Sequence, residues 1–86
     1  MNLRRYWFKF VPRRQPTPLN LGLGITAFDR EDAVSIAQMK VFPHARMPEI
    51  VTIDEDVDIS TLDPKHVLPN IGSVVARGVW FPRGYD

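Results

Sequence analysis

The sequence predicts an α+β domain of two layers, in which one main helix packs on a mostly antiparallel sheet of about four strands. Four stretches are rich in alternating or β-branched apolar residues, which is typical of strands. Only one stretch has the apolar spacing of a long helix, so helix can cover only one face of the sheet. A chain of 86 residues has room for a single hydrophobic core, and we expect residues 1–86 to form one domain.

The first two strands are predicted from alternation. In residues 4–11, Tyr6, Phe8 and Phe10 alternate with a mixed face of basic and apolar residues. Residues 19–27 alternate again, with apolar residues opposite a face that holds Gly22 and Gly24. We expect the two strands to pair, with the proline-rich residues 12–18 as the loop between them. Either another group packs closely on the two glycines, or that face is open.

The helix is predicted over about Arg30 to about Val41. Asp29 has the residue type of an N-cap, and Asp32 stands at N3, where an acid is favoured by the helix dipole. Apolar residues then follow at helical spacing until Pro43 ends the pattern.

The rest of the chain predicts a third strand, a short helical turn and a fourth strand. Residues 50–53 form the apolar part of the third strand, and Asp63 with Pro64 has the pattern that begins a helical turn over residues 64–68. Residues 74–81 return to β-rich composition, with a bulge or bend at Gly78. The predicted order is β-β-α-β-short helical turn-β. We expect the second sheet face to be covered by the C-terminal segment, residues 62–86, by a partner or by water.

Composition and charge exclude several classes of protein. The net charge of +1 gives no overall attraction to nucleic acid, although residues 1–20 carry five basic residues and no acid. The absence of cysteine excludes disulfides, thiolate zinc sites and a cysteine nucleophile, and it fits a reducing compartment. No apolar run approaches the roughly 18 residues of a membrane span, and no signal-peptide pattern is present. We therefore expect a cytoplasmic protein with no membrane partner.

The motifs that resemble cofactor-binding or metal-binding sites lack the surrounding residues or structure that such sites require. Gly22, Gly24 and Ala27 match G-x-G-x-x-A, but the glycines alternate within a strand, and acids at the helix start would repel a phosphate. The acidic run Asp54–Asp58 resembles the start of an EF-hand loop, but the sixth and twelfth positions hold Ile59 and Lys65. We expect no enzyme, no cofactor, and no catalytic or metal-binding residue. Whether the acidic run binds a divalent ion is left open.

A nucleic-acid-binding domain is the alternative function. Aromatic rings that stack on bases, interleaved with basic residues that meet phosphates, are typical of single-strand binders. The basic, aromatic N-terminal strand and the loop after it supply five such candidates: Arg5, Trp7, Lys9, Arg13 and Arg14.

A non-catalytic protein-interaction domain, accessory or self-associating, is the favoured function. Large aromatic and arginine side chains are typical anchors of protein interfaces, and the C-terminal segment is rich in them. The candidate interaction residues are Arg77, Trp80, Arg83, Tyr85 and His66. The competing interpretation is that these aromatic residues close the second face of the sheet.

Three stretches also resemble a group of small bacterial single-domain proteins with no assigned activity. The stretches are RYWFKF, LGLGITAFDREDA and LDPKHVLPNIGSVVARGVWFP. The resemblance covers most of the chain and implies a bacterial, stand-alone domain. It implies no site residue. The predicted partner is an unknown protein or a second copy of the chain, with nucleic acid less favoured.

Overall fold

Four strands in one antiparallel sheet and one main helix make up the regular part of residues 2–85, which the computed structural model describes. The strands are β1 (Arg4–Phe10), β2 (Leu23–Ala27), β3 (Ile50–Glu55) and β4 (Gly78–Phe81), in the spatial order β3-β1-β2-β4. The helix α1 (Arg30–Ile36) continues as a π-helical turn over Ala37–Val41. Short 3-10 helices lie at Pro18–Asn20, Ile59–Thr61 and Leu68–Asn70. The predicted α+β class is confirmed.

The helix begins where its capping residues predict. The Asp29 side chain accepts a hydrogen bond of 2.8 Å from the backbone N–H of Asp32, and the Asp32 carboxylate accepts one of 3.0 Å from the N–H of Phe28. This reciprocal pair satisfies two backbone donors that the first helical turn leaves without partners. The helical pattern ends at Val41, as predicted, although its last turn is π-helical.

One face of the sheet packs on the helix. The even-numbered aromatic residues of β1 and the apolar residues of β2 meet the inner side of the helix and the residue that follows it, Phe42. The Phe10 and Phe42 rings pack edge to face with centroids 5.8 Å apart. Alternation in the strands and helical spacing in α1 therefore build one continuous core on this side.

The opposite face is covered by an irregular segment, residues 57–74, which we call the strap. The strap starts beside β1, where Val57 N–H donates to the Arg5 carbonyl at 3.2 Å, and it ends beside β4, where Gly72 N–H donates to the Trp80 carbonyl at 2.7 Å. Its apolar side chains pack on Trp7, Trp80 and Phe81. The C-terminal segment thus covers much of the second face.

Two glycines allow the tryptophans to lie flat against β2. A Cβ at Gly22 would overlap the Trp7 ring, and a Cβ at Gly24 would overlap the Trp80 ring. The two indoles are stacked, with centroids 5.8 Å apart and planes 24° apart. Of the two alternatives that the sequence left open for this glycine face, the structure shows close packing, and the packing groups are the tryptophan rings.

Two strands are shorter than predicted because local hydrogen bonds bend the chain before them. Thr17 caps a 3-10 turn at Pro18–Asn20, so β2 begins at Leu23. Leu21 packs on the strap side, whereas the alternation predicted that it would share a face with Leu23 and Ile25. The carbonyl of Val74 accepts hydrogen bonds from Thr26 Oγ1 at 2.7 Å and Arg5 Nε at 3.3 Å, and β4 begins only at Gly78.

A bulge in β4 places two large aromatic residues on the same side of the sheet. Gly24 pairs with Phe81 and its neighbour Ile25 pairs with Val79, so Trp80 is an extra residue in the ladder. Trp80 and Phe81 can then both lie in the cluster under the strap. The predicted irregularity of the last strand is present, two residues beyond Gly78.

Candidate interaction groove

A groove at one end of the strap brings together two of the predicted interaction residues, His66 and Arg83. It has a volume of about 400 Å³. Apolar groups form its floor, and its rim carries nitrogen-bearing polar side chains. The lining residues are Pro18, Leu21, Phe81 and Pro82 on the floor and Lys65, His66, Asn70 and Arg83 on the rim.

The Arg83 side chain is held in place at the rim. Its Nε donates a hydrogen bond of 3.1 Å to the carbonyl of Ile71, a residue of the strap. The contact uses one donor of the planar guanidinium and fixes the direction in which the group points. The side chain remains exposed. Arg83 is thus a positioned cation beside an apolar floor.

The turn that carries Lys65 and His66 is organised by Asp63. Its Oδ1 accepts hydrogen bonds from the backbone N–H of Lys65 at 2.8 Å and of His66 at 3.1 Å, while Oδ2 lies 3.3 Å from His66 Nδ1. The backbone N–H of Lys65 is the main cause that holds the pKa of Asp63 below its ordinary value, followed by the contacts with His66. An ionised carboxylate only accepts hydrogen bonds, so Nδ1 of His66 is the donor and Nε2 is the opposite ring atom.

The charge along the groove has one sign. Lys65 and Arg83 carry positive charge at neutral pH, and His66 gains one when it is protonated. None of the described residues that line the groove is an Asp or Glu. Asp63 lines the neighbouring cleft, and its carboxylate already accepts hydrogen bonds from the turn that it caps. The arrangement is suited to an apolar group next to an anionic one.

The other three predicted interaction residues lie elsewhere. Trp80 has no exposed surface, so it belongs to the core and cannot touch a partner in the folded protein. Tyr85 is half-buried and packs on the core under the helix, on the opposite face from the groove. Arg77 forms a two-point ion pair with Asp32 and lies over the Phe28 ring at 5.5 Å. The competing interpretation, in which Trp80 closes the second sheet face, is the one that its burial supports.

The five nucleic-acid candidates do not form one surface. Trp7 is 5% exposed, so its ring is not available to stack on a base. Arg5 donates to the strap at Val74, whereas the Arg13 guanidinium lies 5.6 Å from the ring centre of Phe42, which belongs to the helix-side core.

The two remaining basic candidates, Lys9 and Arg14, are exposed. The alternation in β1 was correctly predicted. The burial of Trp7 on its odd-numbered face depends on the strap, which covers the indole and removes it from the stacking surface that the nucleic-acid alternative requires.

The acidic run after β3 has local partners. Asp58 accepts hydrogen bonds from the backbone and hydroxyl of Ser60 at 3.1 and 2.7 Å, and its hydrogen bond with the Ser60 hydroxyl is the main cause that lowers its pKa. Asp56 lies 3.8 Å from Arg4. Within residues 2–85, no three His, Asp or Glu side chains are grouped so that they could hold a metal ion.

Sequence reasoning missed the floor of the groove and one cation of its rim. Leu21 was predicted to lie on the sheet face opposite the glycines, and Lys65 was not selected as a candidate although it is next to His66. The sequence did contain a signal for Lys65. Asp63 has the residue type of a cap, and Lys65 and His66 are neighbours in the turn that it would cap. Nothing in the alternation pattern signalled that Leu21, Phe81 and Pro82 would meet.

Compared with known proteins, the chain matches no family model, no curated protein and no solved structure. The bacterial resemblance therefore stays a prediction. Among residues 2–85, no helix combines the length and the apolar character that crossing a bilayer requires. Function must be argued from the geometry of the groove.

Proposed function

We propose that this chain is a non-catalytic protein-interaction domain of the bacterial cytoplasm, and that it binds a segment of a partner protein in the groove at the end of the strap. The observation that carries the proposal is the apolar floor under a rim that holds Lys65 and the positioned cation of Arg83, with no carboxylate among the lining residues that the structure describes. The absence of cysteine fits the proposed compartment.

The size and lining of the groove support a peptide segment as the ligand. A volume of about 400 Å³ lies within the range of roughly 300–1,000 Å³ that is typical of pockets for small ligands, and it suffices for a few side chains. Apolar area on the floor favours binding through the hydrophobic effect, while the polar rim confers orientation. The groove is formed by rigid neighbours, since Phe81 and Pro82 are buried in the fold.

Nucleic acid is the weaker candidate because the ring it needs is covered. Stacking on an aromatic side chain contributes about 1–3 kcal/mol per base in single-strand binders, and Trp7 is buried. The remaining exposed basic residues near the N-terminus offer charge alone, in a protein whose net charge is +1.

The experiment is a selection of displayed twelve-residue peptides on the immobilised 86-residue protein. We expect enriched peptides that bind the wild type and lose at least about tenfold in affinity on Arg83→Glu, because the substitution reverses a charge at the rim. Arg14→Glu is the matched control, since it makes the same change on an exposed loop residue away from the groove. Circular dichroism establishes that both variants are folded.

Two results would overturn the proposal. One is a selection that enriches no peptide over an unrelated protein. The other is a set of enriched peptides whose binding is unaffected by Arg83→Glu and by Leu21→Gln, a change on the floor. A single-stranded oligonucleotide run in parallel serves as the test of the alternative. Binding that falls steeply with salt and is lost on Arg14→Glu would favour nucleic acid instead.

A further inference from the structure

We infer that the segment bound in the groove presents a carboxylate side chain next to an apolar residue, and that His66 makes this binding stronger at acidic pH. The inference rests on the proposed function and names its ligand chemistry. It follows from the identity of the rim side chains and from the way in which two of them are held.

The first step concerns charge. Lys65, His66 and Arg83 share one groove, and the polar groups that an anion would meet at the rim are the cations of Lys65 and Arg83, the His66 ring and the amide of Asn70. A carboxylate can accept two parallel hydrogen bonds from a guanidinium, and such charge-assisted bonds are about twice as strong as neutral ones. Arg83 is already oriented by its bond to the Ile71 carbonyl, so less side-chain freedom is lost on binding.

The second step concerns the neighbouring residue of the ligand. A lone carboxylate would remain hydrated and gain little at an exposed rim. The floor beside the rim is formed by Leu21, Phe81, Pro82 and Pro18. An apolar side chain adjacent to the carboxylate would cover this floor and exclude water from the ion pair, which strengthens the attraction. The ligand is therefore a dipeptide pattern of one apolar and one acidic residue.

The third step concerns the proton on His66. Because Nδ1 donates to Asp63, neutral His66 would present Nε2 to the ligand as an acceptor, which repels a carboxylate oxygen. Protonation turns Nε2 into a charged donor. The ionised groups around the ring are Asp63 in its own turn, Lys65 beside it and Arg83 across the groove. Histidine is the residue type among these whose charge changes between about pH 5 and pH 8.

The test uses two acetylated and amidated pentapeptides, Ala-Leu-Glu-Leu-Ala and Ala-Leu-Gln-Leu-Ala, titrated into the ¹⁵N-labelled domain. We expect the glutamate peptide to shift the amide signals of Lys65, His66 and Arg83. At pH 5.5 we expect it to bind at least about tenfold more tightly than the glutamine peptide, a ratio that corresponds to one charge-assisted hydrogen bond. At pH 8 the ratio should fall to about threefold or less.

Two histidine variants separate the role of His66 from general effects of pH. His66→Gln should bind the glutamate peptide with nearly the same affinity at both pH values. His44→Gln is the matched control, because His44 is the other histidine of the chain and does not line the groove, and it should retain the wild-type response.

Each contrary result would contradict a different part of the proposal. Equal affinity for the two peptides, or no shift from either, overturns the carboxylate inference, while the proposed function stands or falls with the displayed library. A glutamate preference that does not change with pH, or that changes equally in His66→Gln, overturns the role of His66. Shifts confined to residues outside the groove overturn both the inference and the site.

Discussion

The two faces of the sheet are covered in different ways. On the helix side, a regular element with matching periodicity buries a cluster of thirteen residues. On the strap side, the structure gives only four buried residues in the cluster, and three of them are the large aromatic residues Trp7, Trp80 and Phe81. The strap has short 3-10 turns and no strand or α-helix among its residues.

The difference shows how an irregular segment can close a sheet. The indole of Trp7 lies against Gly22, just before β2, and that of Trp80 lies against Gly24 within β2, so each ring fills space that a side chain at the glycine would otherwise occupy. Few hydrogen bonds then suffice to hold the strap over the rings.

Removing the Trp80 ring, the more deeply buried of the two indoles, should destabilise the strap side most severely. We expect Trp80→Ala to cost about 3–5 kcal/mol, the usual range for truncating a buried aromatic residue. That loss is comparable to the whole stability expected of a domain of this size, at about 0.05–0.15 kcal/mol per residue. The variant should be largely unfolded, as judged by near-ultraviolet circular dichroism and by dispersion of its proton spectrum.

Phe28→Ala is the control for truncating an aromatic residue, because Phe28 is 40% exposed. It should remain folded and lose about 1 kcal/mol or less. A Trp80→Ala protein with wild-type stability would show that the ring is not core and would restore Trp80 as a surface anchor.

The next largest effect is expected where the rings meet the glycines. Gly24→Ala introduces a methyl group that overlaps the Trp80 ring, and overpacking of this kind costs typically about 1–3 kcal/mol. Gly72→Ala is a matched control, since a Cβ there would lie 3.8 Å from the Trp80 carbonyl oxygen, its nearest atom outside the adjacent residues. Urea denaturation should show a lower midpoint for Gly24→Ala and little change for Gly72→Ala. Equal midpoints would mean that the ring is free to move away from β2.

These two faces also differ in how far the sequence could predict them. The helix side follows from local rules, because the alternation at Tyr6, Phe8 and Phe10 and the cap at Asp29 need no knowledge of distant residues. Those elements were correctly predicted, whereas no prediction was made of the spatial order of the strands, which is β3-β1-β2-β4.

The strap side depends on contacts between residues far apart in the chain. The bulge that turns Trp80 and Phe81 to one side leaves no periodic signal, and the groove floor combines Leu21 with residues sixty positions later. His66 and Arg83 were selected for their chemistry alone, and their meeting at one groove is a result of the tertiary fold.

The smallest of the three losses in stability is expected at the start of the helix, where an ion pair joins the helix side of the sheet to the strap side. Arg77, which lies between the strap and β4, donates from Nε to the Asp32 carboxylate at 2.9 Å and makes a second contact with it through Nη2, while Asp32 also caps Phe28 N–H. The hydrogen bond from Arg77 is the main cause that holds the pKa of Asp32 below its ordinary value. Asp32→Asn should cost about 1–2 kcal/mol at pH 7, through the lost charge-assisted bonds.

The pH dependence of this loss follows from the sign of the shift. Because the folded protein lowers the pKa of Asp32, the unfolded chain binds the proton more readily, and the stabilisation is fully present above about pH 4 and lost as the pH falls through the folded value. The free energy of unfolding of Asp32→Asn should therefore lie below that of the wild type at pH 7 and converge with it as the pH falls through the folded pKa of Asp32. Asp56→Asn removes the same charge from an exposed pair and should stay within about 0.5 kcal/mol of the wild type. Curves for Asp32→Asn that run parallel to the wild type at every pH would show that the cap holds the helix without help from Arg77, and that the strap side is joined to the helix side through the sheet alone.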